Sequence, residues 1–536
     1  MTRYQVAIVG GGPVGIALAV ELGQRGVTCA LVERHRDVGR IPKGQNLQHR
    51  TLEHFYFWHC VDELRAARLM PKDHPIAGAS AYGSLSSDYL HLGRPMRDTR
   101  LGEFSINDFF FELNERLPQY RTEEVLRARA AQLPSVTVMF ENTAKSIEPE
   151  ADGVRVNVSS EIWPYEDLVI EADYVVGCDG ARSLVRTALG IERHGTDLGD
   201  RMVLAVFSSA ELYEKLERFG PRSTYRVVNP AKNGAWQFFG VVEVGKTWFY
   251  HGPVKPDTTP QEVDYIKSEM EEAAGFPFEV EFEHIGFWNL KIEVADTYGE
   301  DRVWIAGDAA HLHPPYGGQG LNNGLEDVTN LGWKLDAVIK GWGGPNLLES
   351  YTEERQPVFS QIGEDMIAGG ILREREWLKL HSPERDLADF EKAWDDLDRT
   401  QTPFEFEPNF EGSSIVVGSA PGAKPGIHSE RAFAARPGHH LAPQVLSSGR
   451  NVYEELGVGF TLLAFGADDD SVTLIEQSAA EAAVPLKTVR DDQADGRAKF
   501  ESKLVLVRPD QFVAWANDRC ESPDAAKVLL EQVTGH

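Results

Sequence analysis

The chain has 536 residues, 42 % hydrophobic and 26 % charged, an ordinary globular composition but too long for one core, so two or three domains are expected. Its formal net charge of −29, spread along the chain, disfavours nucleic acid or an anionic membrane as a partner. Four cysteines (Cys29, Cys60, Cys178, Cys520) form no CxxC or metal-like cluster, no apolar run is long enough to span a bilayer, and the N-terminus enters a strand directly, so a cytoplasmic location is expected.

The first predicted element is a β-branched strand, Tyr4 to Val9, ending in Gly10-x-Gly12-Pro13-x-Gly15. Glycines at this spacing permit a tight turn, close approach of backbone to a pyrophosphate, and close packing of the next helix on the strand. A helical face follows (Ile16, Ala19, Val20, Leu22, Gly23), closed by Gly26, and Cys29 to Val32 is the second strand. Glu33 ends that strand 18 residues after Gly15, where a carboxylate accepts hydrogen bonds from a ribose diol and repels a 2′-phosphate. Arg34 adjoins it, and Lys43 to Glu53 leads from a Pro/Gly loop into a helix. No second glycine fingerprint follows, so a nicotinamide would have no nucleotide domain of its own.

Tyr174 to Arg186 is again strand, turn and helix start, with Asp179-Gly180 at the turn, where helix N-terminal amides and a ligand are both in reach. Between residues 196 and 289, Tyr225 to Val228, Trp236 to Val242 and Thr247 to His251 read as successive strands. Val303 to His311 is a third apolar strand ending in Gly307-Asp308-Ala309-Ala310-His311. Asp308 is placed to accept hydrogen bonds from ribityl hydroxyls. Pro314 and Pro315 stiffen the next loop, and Gly317-Gly318-Gln319-Gly320-Leu321-Asn322 opens a long helix with Leu325, Val328, Leu331 and Leu335 on one face. The partial positive charge at that helix start suits an anionic reduced isoalloxazine. His311 and His313 read as loop histidines, because no acid or third histidine stands at ligand spacing.

The fingerprint ending in Glu33, Asp179-Gly180, and the run Gly307-Asp308…Pro314-Pro315…Gly318-Gln319-Gly320…Asn323…Asp327…Trp333-Lys334-Leu335 resemble the class A FAD-dependent aromatic hydroxylases, of p-hydroxybenzoate hydroxylase fold, over residues 4–370. The resemblance implies an α/β architecture. A Rossmann-like FAD-binding domain (1–75, 105–195, 290–370) carries an inserted, mainly β substrate domain (76–104, 196–289). It further implies that NADPH or NADH reduces FAD, that O2 adds at flavin C4a, and that the hydroperoxide hydroxylates an electron-rich ring of a phenol, aminophenol or pyridone type. A polycyclic polyketide, hydroxylated or opened in Baeyer–Villiger fashion, is the alternative substrate, and a non-hydroxylating flavin sensor is the alternative class. The cofactor carries the hard chemistry, so no nucleophile–base pair is needed. Gln119 and the run Arg50 to Glu53 match family positions that hold or adjoin FAD, and Pro314 falls beside the reacting ring edge.

Phenol-hydroxylase-like members carry an acid where Gln45 stands here, and many carry Arg where Lys43 stands. Gln45 cannot act as a base. Either Tyr225 or His251 then supports ionisation, or the substrate needs no base. Tyr82, Phe239 and Trp288 are candidate lining residues, by aromatic stacking. Residues 371–410 read as a linking segment. Residues 411–536 resemble the thioredoxin-like C-terminal domain of the phenol and polyketide hydroxylase branch, through Gly438-His439-His440-Leu441-Ala442-Pro443 and Arg508-Pro509-Asp510-x-x-Val513-Ala514-Trp515. Without CxxC that unit is expected to be structural or to form subunit contacts, in a monomer or homodimer.

Overall fold

Three segments far apart in sequence lie side by side in the first sheet. Arg3–Val9 pairs in parallel with Cys29–Glu33 on one side and with Asp167–Gly177 on the other, and Val303–Ile305 continues the parallel set beside Asp167–Gly177. Val9 is in register with Gly177, and Gly177 with Ile305. The glycine fingerprint, Asp179-Gly180 and Gly307-Asp308 thus all leave neighbouring strands at their carboxyl ends, the edge where open α/β sheets bind ligands. The computed structural model describes residues 3–101, 103–160, 167–232, 234–399, 406–492 and 499–536.

The helices Pro13–Gln24 and Gln319–Lys340 pack on this sheet and on each other. Their approach depends on missing side chains. A Cβ on Gly324 would meet Val14 Cγ2 at 2.6 Å, and one on Gly332 would meet Glu21 Cγ at 2.4 Å.

The second sheet runs His311–Leu312, Glu281–Ala295, Arg193–Ser208, Thr247–Val254, Gln237–Glu243, Thr224–Val228, Gly78–Tyr82, Leu90–Leu92. Alternation along its strands divides the side chains into two sets. Val203, Ala205, Phe207, Tyr225, Val227, Phe239, Val241, Trp248 and Tyr250 are buried together with Ile266 and Met270 of the helix Val263–Ala274. Leu204, Val206, Phe238, Phe249 and Trp288 take the other face, with Ile41 and Leu69 of the first domain. The long strands Arg193–Ser208 and Glu281–Ala295 run through the boundaries expected near 196 and 289, because each continues unbroken from the substrate sheet towards the nucleotide domain.

Residues 371–399, the described start of the expected linking segment, are more than a link. Gly369–Leu380 and Leu387–Arg399 are helices whose Trp377, Phe390 and Trp394 close over Tyr82 and Tyr89 at the edge of the second sheet. Beyond them, Phe460–Phe465 lies parallel to Leu486–Asp491 and antiparallel to Leu504–Val507, which pairs antiparallel with Val513–Asn517. With the helices Asp469–Glu481 and Pro523–Val533 this is the α/β arrangement expected of the C-terminal unit.

That unit is anchored by buried charge. Arg508 donates to Glu354 Oε2 at 2.9 Å and to Asp510 Oδ2 at 2.6 Å, Lys334 donates to the same Glu354 oxygen at 2.8 Å, and Trp333 Nε1 donates to Asp510 at 3.1 Å. A second tie joins Arg50 to the Asp510 carbonyl at 2.6 Å and Glu53 to His440 at 2.8 Å. Arg50 and Glu53, placed by resemblance at or beside the flavin, therefore spend their side chains on Glu326 and the C-terminal unit.

Candidate active site

The three strand ends form the floor. Gly10 takes φ +100°, and a Cβ there would stand 2.5 Å from the Cys178 carbonyl oxygen; on Gly15 it would stand 1.9 Å from the Gly10 carbonyl oxygen. On Gly12 a Cβ would meet nothing within 4 Å. Gly10 and Gly15 are demanded by the protein itself, whereas Gly12, with Pro13 opening the helix, borders open space. Glu33 closes the loop from the side, accepting from the Gly11 amide and the His35 amide, each at 2.7 Å. Arg34 is exposed beside it.

Asp179 is committed to the protein. It accepts from Ser183 Oγ at 2.5 Å and from the Leu184 and Val185 amides at 2.6 and 3.2 Å, capping the helix Leu184–Ala188. Gly180, at φ +77°, makes the turn that permits this. Asp308 is the opposite case. Its carboxylate is open to solvent on the floor of the cleft and has no hydrogen-bond partner among the described residues. Crowding by protein raises its pKa above the ordinary carboxylate range, against the pull of His311, Lys43 and Arg193.

What holds Asp308 there was not read from the sequence. Asp327 accepts from the Gly307 amide at 3.0 Å, from His311 Nε2 at 2.6 Å and from Arg355 Nε at 2.9 Å, all buried. His311 also stacks on Phe359 at 3.8 Å, and His313 at 5.4 Å, so both histidines serve the loop. Asp327 stands in the run that carries the family resemblance, which was the available signal, whereas Arg355 comes from the helix Asn346–Gln361, which no motif marked.

The helix Gln319–Lys340 starts at Gly318 with φ +66° and no side-chain cap, leaving first-turn amides such as those of Gly320 and Leu321 without intrahelical partners, whereas the Asn322 amide is the first inside the helical ladder. The Asn322 side chain is fully used, accepting from the Gln48 amide and Thr51 Oγ1 and donating to the Asn46 and Gly318 carbonyls. It clips the 43–48 loop against this helix start. In that loop Lys43 is exposed without an ion pair among the described residues, and Gln45 is buried with its Nε2 unpartnered. Gln119 lies nearby, its Nε2 donating to Glu123 at 2.9 Å. The cradle thus offers one free carboxylate, one buried free amide, uncapped helix amides and an open glycine, which together fit a dinucleotide with a polar ring system.

Above it lies the second face of the substrate sheet. Trp236, Phe238 and Trp288 are half-buried there, and Tyr316, next to Pro314 and Pro315, stacks on Trp236 at 4.3 Å and meets Trp288 at 6.1 Å and Phe238 at 6.2 Å. Arg226 sits 4.1 Å over Trp236 and is ion-paired with Glu374. His251 stacks on Phe238 at 4.9 Å. Of the expected lining residues Trp288 is on this face, and so is His251, named from the sequence as a group to support ionisation.

Three others are not, and the structure corrects them. Tyr225 and Phe239 are cross-strand neighbours on the helix-covered face, 2 % and 0 % exposed, because they are one residue out of phase with Arg226 and Phe238. Burial pushes the Tyr225 hydroxyl up to about 12. Tyr82 has the right parity but is covered by Phe390 at 4.7 Å. Tyr225→Phe should therefore leave turnover within about twofold of wild type and cost about 1 kcal/mol of stability; a large loss of kcat with an unchanged melt would restore it to the site. Trp236, Phe238 and Tyr316 were missed, although strict two-residue alternation from His251 and its cross-strand partner Phe238 selects this face.

Residues 3–365 match the family model described as an FAD binding domain, and residues 435–536 match that of the aromatic-ring hydroxylase C-terminal domain. The chain is 32 % identical to 12-dehydrotetracycline 5-monooxygenase/anhydrotetracycline 6-monooxygenase of Streptomyces rimosus subsp. rimosus, over 69 % of this chain and 68 % of that protein. It is 28 % identical to 4-methyl-5-nitrocatechol 5-monooxygenase of a Burkholderia species, over 97 % of this chain and 95 % of that one. The rebeccamycin biosynthetic enzyme RebC with reduced flavin superposes with a TM-score of 0.81 at 27 % identity, over 99 % of both chains. With the three strand-end motifs, the free Asp308 and the aromatic face above the proline loop, these matches place the chain in the FAD-dependent aromatic-ring hydroxylases, monooxygenases that draw electrons from NAD(P)H.

Proposed function

We propose that the aromatic face of the substrate sheet holds an electron-rich ring against the Pro314–Tyr316 loop, and that the cradle below it holds FAD by the free Asp308 carboxylate, the Gln45 amide and the first-turn amides of Gly320 and Leu321, with Asn322 clipping the loop that carries Gln45. The observation that carries this reading is the stack of Tyr316 on Trp236, which brings the loop over the cradle into contact with the substrate sheet. Bound FAD, with NAD(P)H and O2, supplies the oxygen transfer. The residues named here orient the ring, keep water from it and balance charge. Lys43 and the uncapped helix start place positive potential at the cradle. Pro13, Pro315 and Gly318 shape its walls, and Glu33 and Arg34 face the adenosine end.

A second reading is a polycyclic substrate. The aromatic wall crosses several strands, from Trp236 and Phe238 through His251 to Trp288, a span that suits fused rings. One relative is named for a tetracycline and another for a nitrocatechol, so both ring sizes occur among similar proteins. The test is NAD(P)H oxidation and oxygen uptake with phenols, aminophenols, pyridones and fused-ring quinones, with product mass. Stimulated oxidation with a mass gain of one oxygen supports the reading; peroxide alone across the panel opposes it. Asp308→Ala should weaken FAD binding about 10- to 100-fold, the worth of a charge-assisted hydrogen bond, and full flavin occupancy in that variant would remove Asp308 from the cradle.

A further inference from the structure

The cleft face carries few polar groups. Arg226 is neutralised by Glu374, Arg375 is paired with Asp200 at 2.5 Å, and Tyr225 is behind the sheet. Besides Trp236 Nε1 and the Tyr316 hydroxyl of the same face, His251 remains, 3 % exposed in a niche formed by Phe238, Phe249 and Trp288. Trp288 Nε1 lies 3.1 Å from His251 Nδ1. An indole N–H can only donate, so Nδ1 must present its lone pair. A neutral imidazole with a lone pair on Nδ1 carries its proton on Nε2. Nε2 has no hydrogen-bond partner among the described residues. Burial among aromatic rings depresses the His251 pKa to about 3, so the ring stays neutral through the working pH range. Both nitrogens are then unsuited to taking a proton: one lone pair is occupied by Trp288, and the other nitrogen already bears hydrogen.

We infer that His251, fixed in its Nε2–H tautomer by Trp288, is a specificity-determining hydrogen-bond donor that selects rings bearing an acceptor oxygen, a quinone carbonyl or a phenolate, and is not the base that ionises the substrate. This rests on the proposal that the aromatic face takes the substrate ring. A ring of equal size without that oxygen would bury the N–H unpaired, and sites built around a buried donor discriminate strongly against such analogues. A phenolate would arrive already ionised, or ionise with its proton released to water, and the Nε2–H would then stabilise its oxygen.

The test uses two flat probes of equal charge, anthraquinone-2-sulfonate and anthracene-2-sulfonate, titrated calorimetrically into FAD-loaded protein. Wild type should bind the quinone at least about tenfold more tightly, as the usual penalty for an unpaired buried donor implies. His251→Leu should abolish the preference, whereas His251→Gln, which retains an N–H donor, should keep it to within about threefold. Flavin content and melting temperature identify any variant that fails to fold, and the glutamine variant then carries the comparison. Survival of the preference in His251→Leu overturns the inference, as does a wild type that shows no preference or binds neither probe. The outcomes separate from those of the proposed reaction. Hydroxylation of a panel substrate with a preference indifferent to His251 leaves the monooxygenase reading standing. A His251-dependent preference without hydroxylation leaves only the recognition role.

Discussion

Replacing Arg508 with leucine should loosen the C-terminal unit from the FAD-binding domain and lower the first unfolding transition by about 3–5 kcal/mol, the usual cost of removing one partner from a buried ion pair. The size follows from what is left behind. Glu354 is fully buried and also contacts Lys334, Asn330 and Ser413, but Arg508 donates to both of its oxygens, and Asp510 takes two further bonds from the same guanidinium. Without it, two carboxylates face one ammonium in a dry interior. Denaturant unfolding combined with limited proteolysis between the two units checks the result; an unchanged midpoint and cleavage pattern would show that apolar packing alone holds the unit. The same network gives a pH dependence of definite sign. Burial would raise the Glu354 carboxyl, but Arg508 and Lys334 outweigh it and hold it far below the ordinary range. A carboxylate with a depressed folded pKa stabilises fully above its unfolded pKa, near 4.3, and progressively less as pH falls below that. Glu53 and Glu326 are lowered in the same way. Wild type should therefore lose stability below about pH 4.5, and Arg508→Leu should lose less there, because part of that contribution is already gone.

The parts of the site legible in the sequence were those fixed by short-range geometry. A strand that ends in Gly-x-Gly-x-x-Gly, in Asp-Gly or in Gly-Asp announces a turn at a carboxyl edge, and the fold needed only to bring three such edges together. Asp308 could be placed because its role depends on the turn it occupies. The lining of the substrate face was misread where residue type was weighed above phase. Tyr225 and Phe239 are aromatic in plausible strands, yet one step along each strand puts the side chain on the opposite face. Trp236, Phe238 and Trp288 share the cleft with Tyr316, which comes from a loop some 80 residues beyond the first of them. The buried Arg508–Glu354–Lys334 cluster was illegible for another reason. Lys334 and Arg508 stood in the sequence only as parts of two separate family motifs and Glu354 in none, and only their meeting across 154 residues makes each charge tolerable in the core. Residues 371–399 were underrated likewise, since helices with charged outer faces look like a link until Trp377, Phe390 and Trp394 are seen to cover Tyr82.

Gly12→Ala and Gly15→Ala should both abolish FAD retention, for different reasons that one pair of measurements separates. A Cβ at Gly15 would lie 1.9 Å from the Gly10 carbonyl oxygen, a backbone atom that cannot swing aside. The loop must move, and the flavin-free protein should itself melt lower, by the roughly 1–3 kcal/mol typical of overpacking. Gly12 adopts φ −66° and ψ −175°, open to alanine, and its Cβ would meet no protein atom within 4 Å. The flavin-free Gly12→Ala protein should therefore fold and melt as wild type does. Its defect should appear only on adding FAD, as a weakening of at least about 100-fold, if the pyrophosphate passes over that position. Equilibrium titration of flavin into both apoproteins, beside their melting curves, tests the pair. Wild-type FAD affinity in Gly12→Ala would mean that the open space above this glycine is not where the dinucleotide lies, and the cradle would have to be redrawn around Asp308 and the helix start alone.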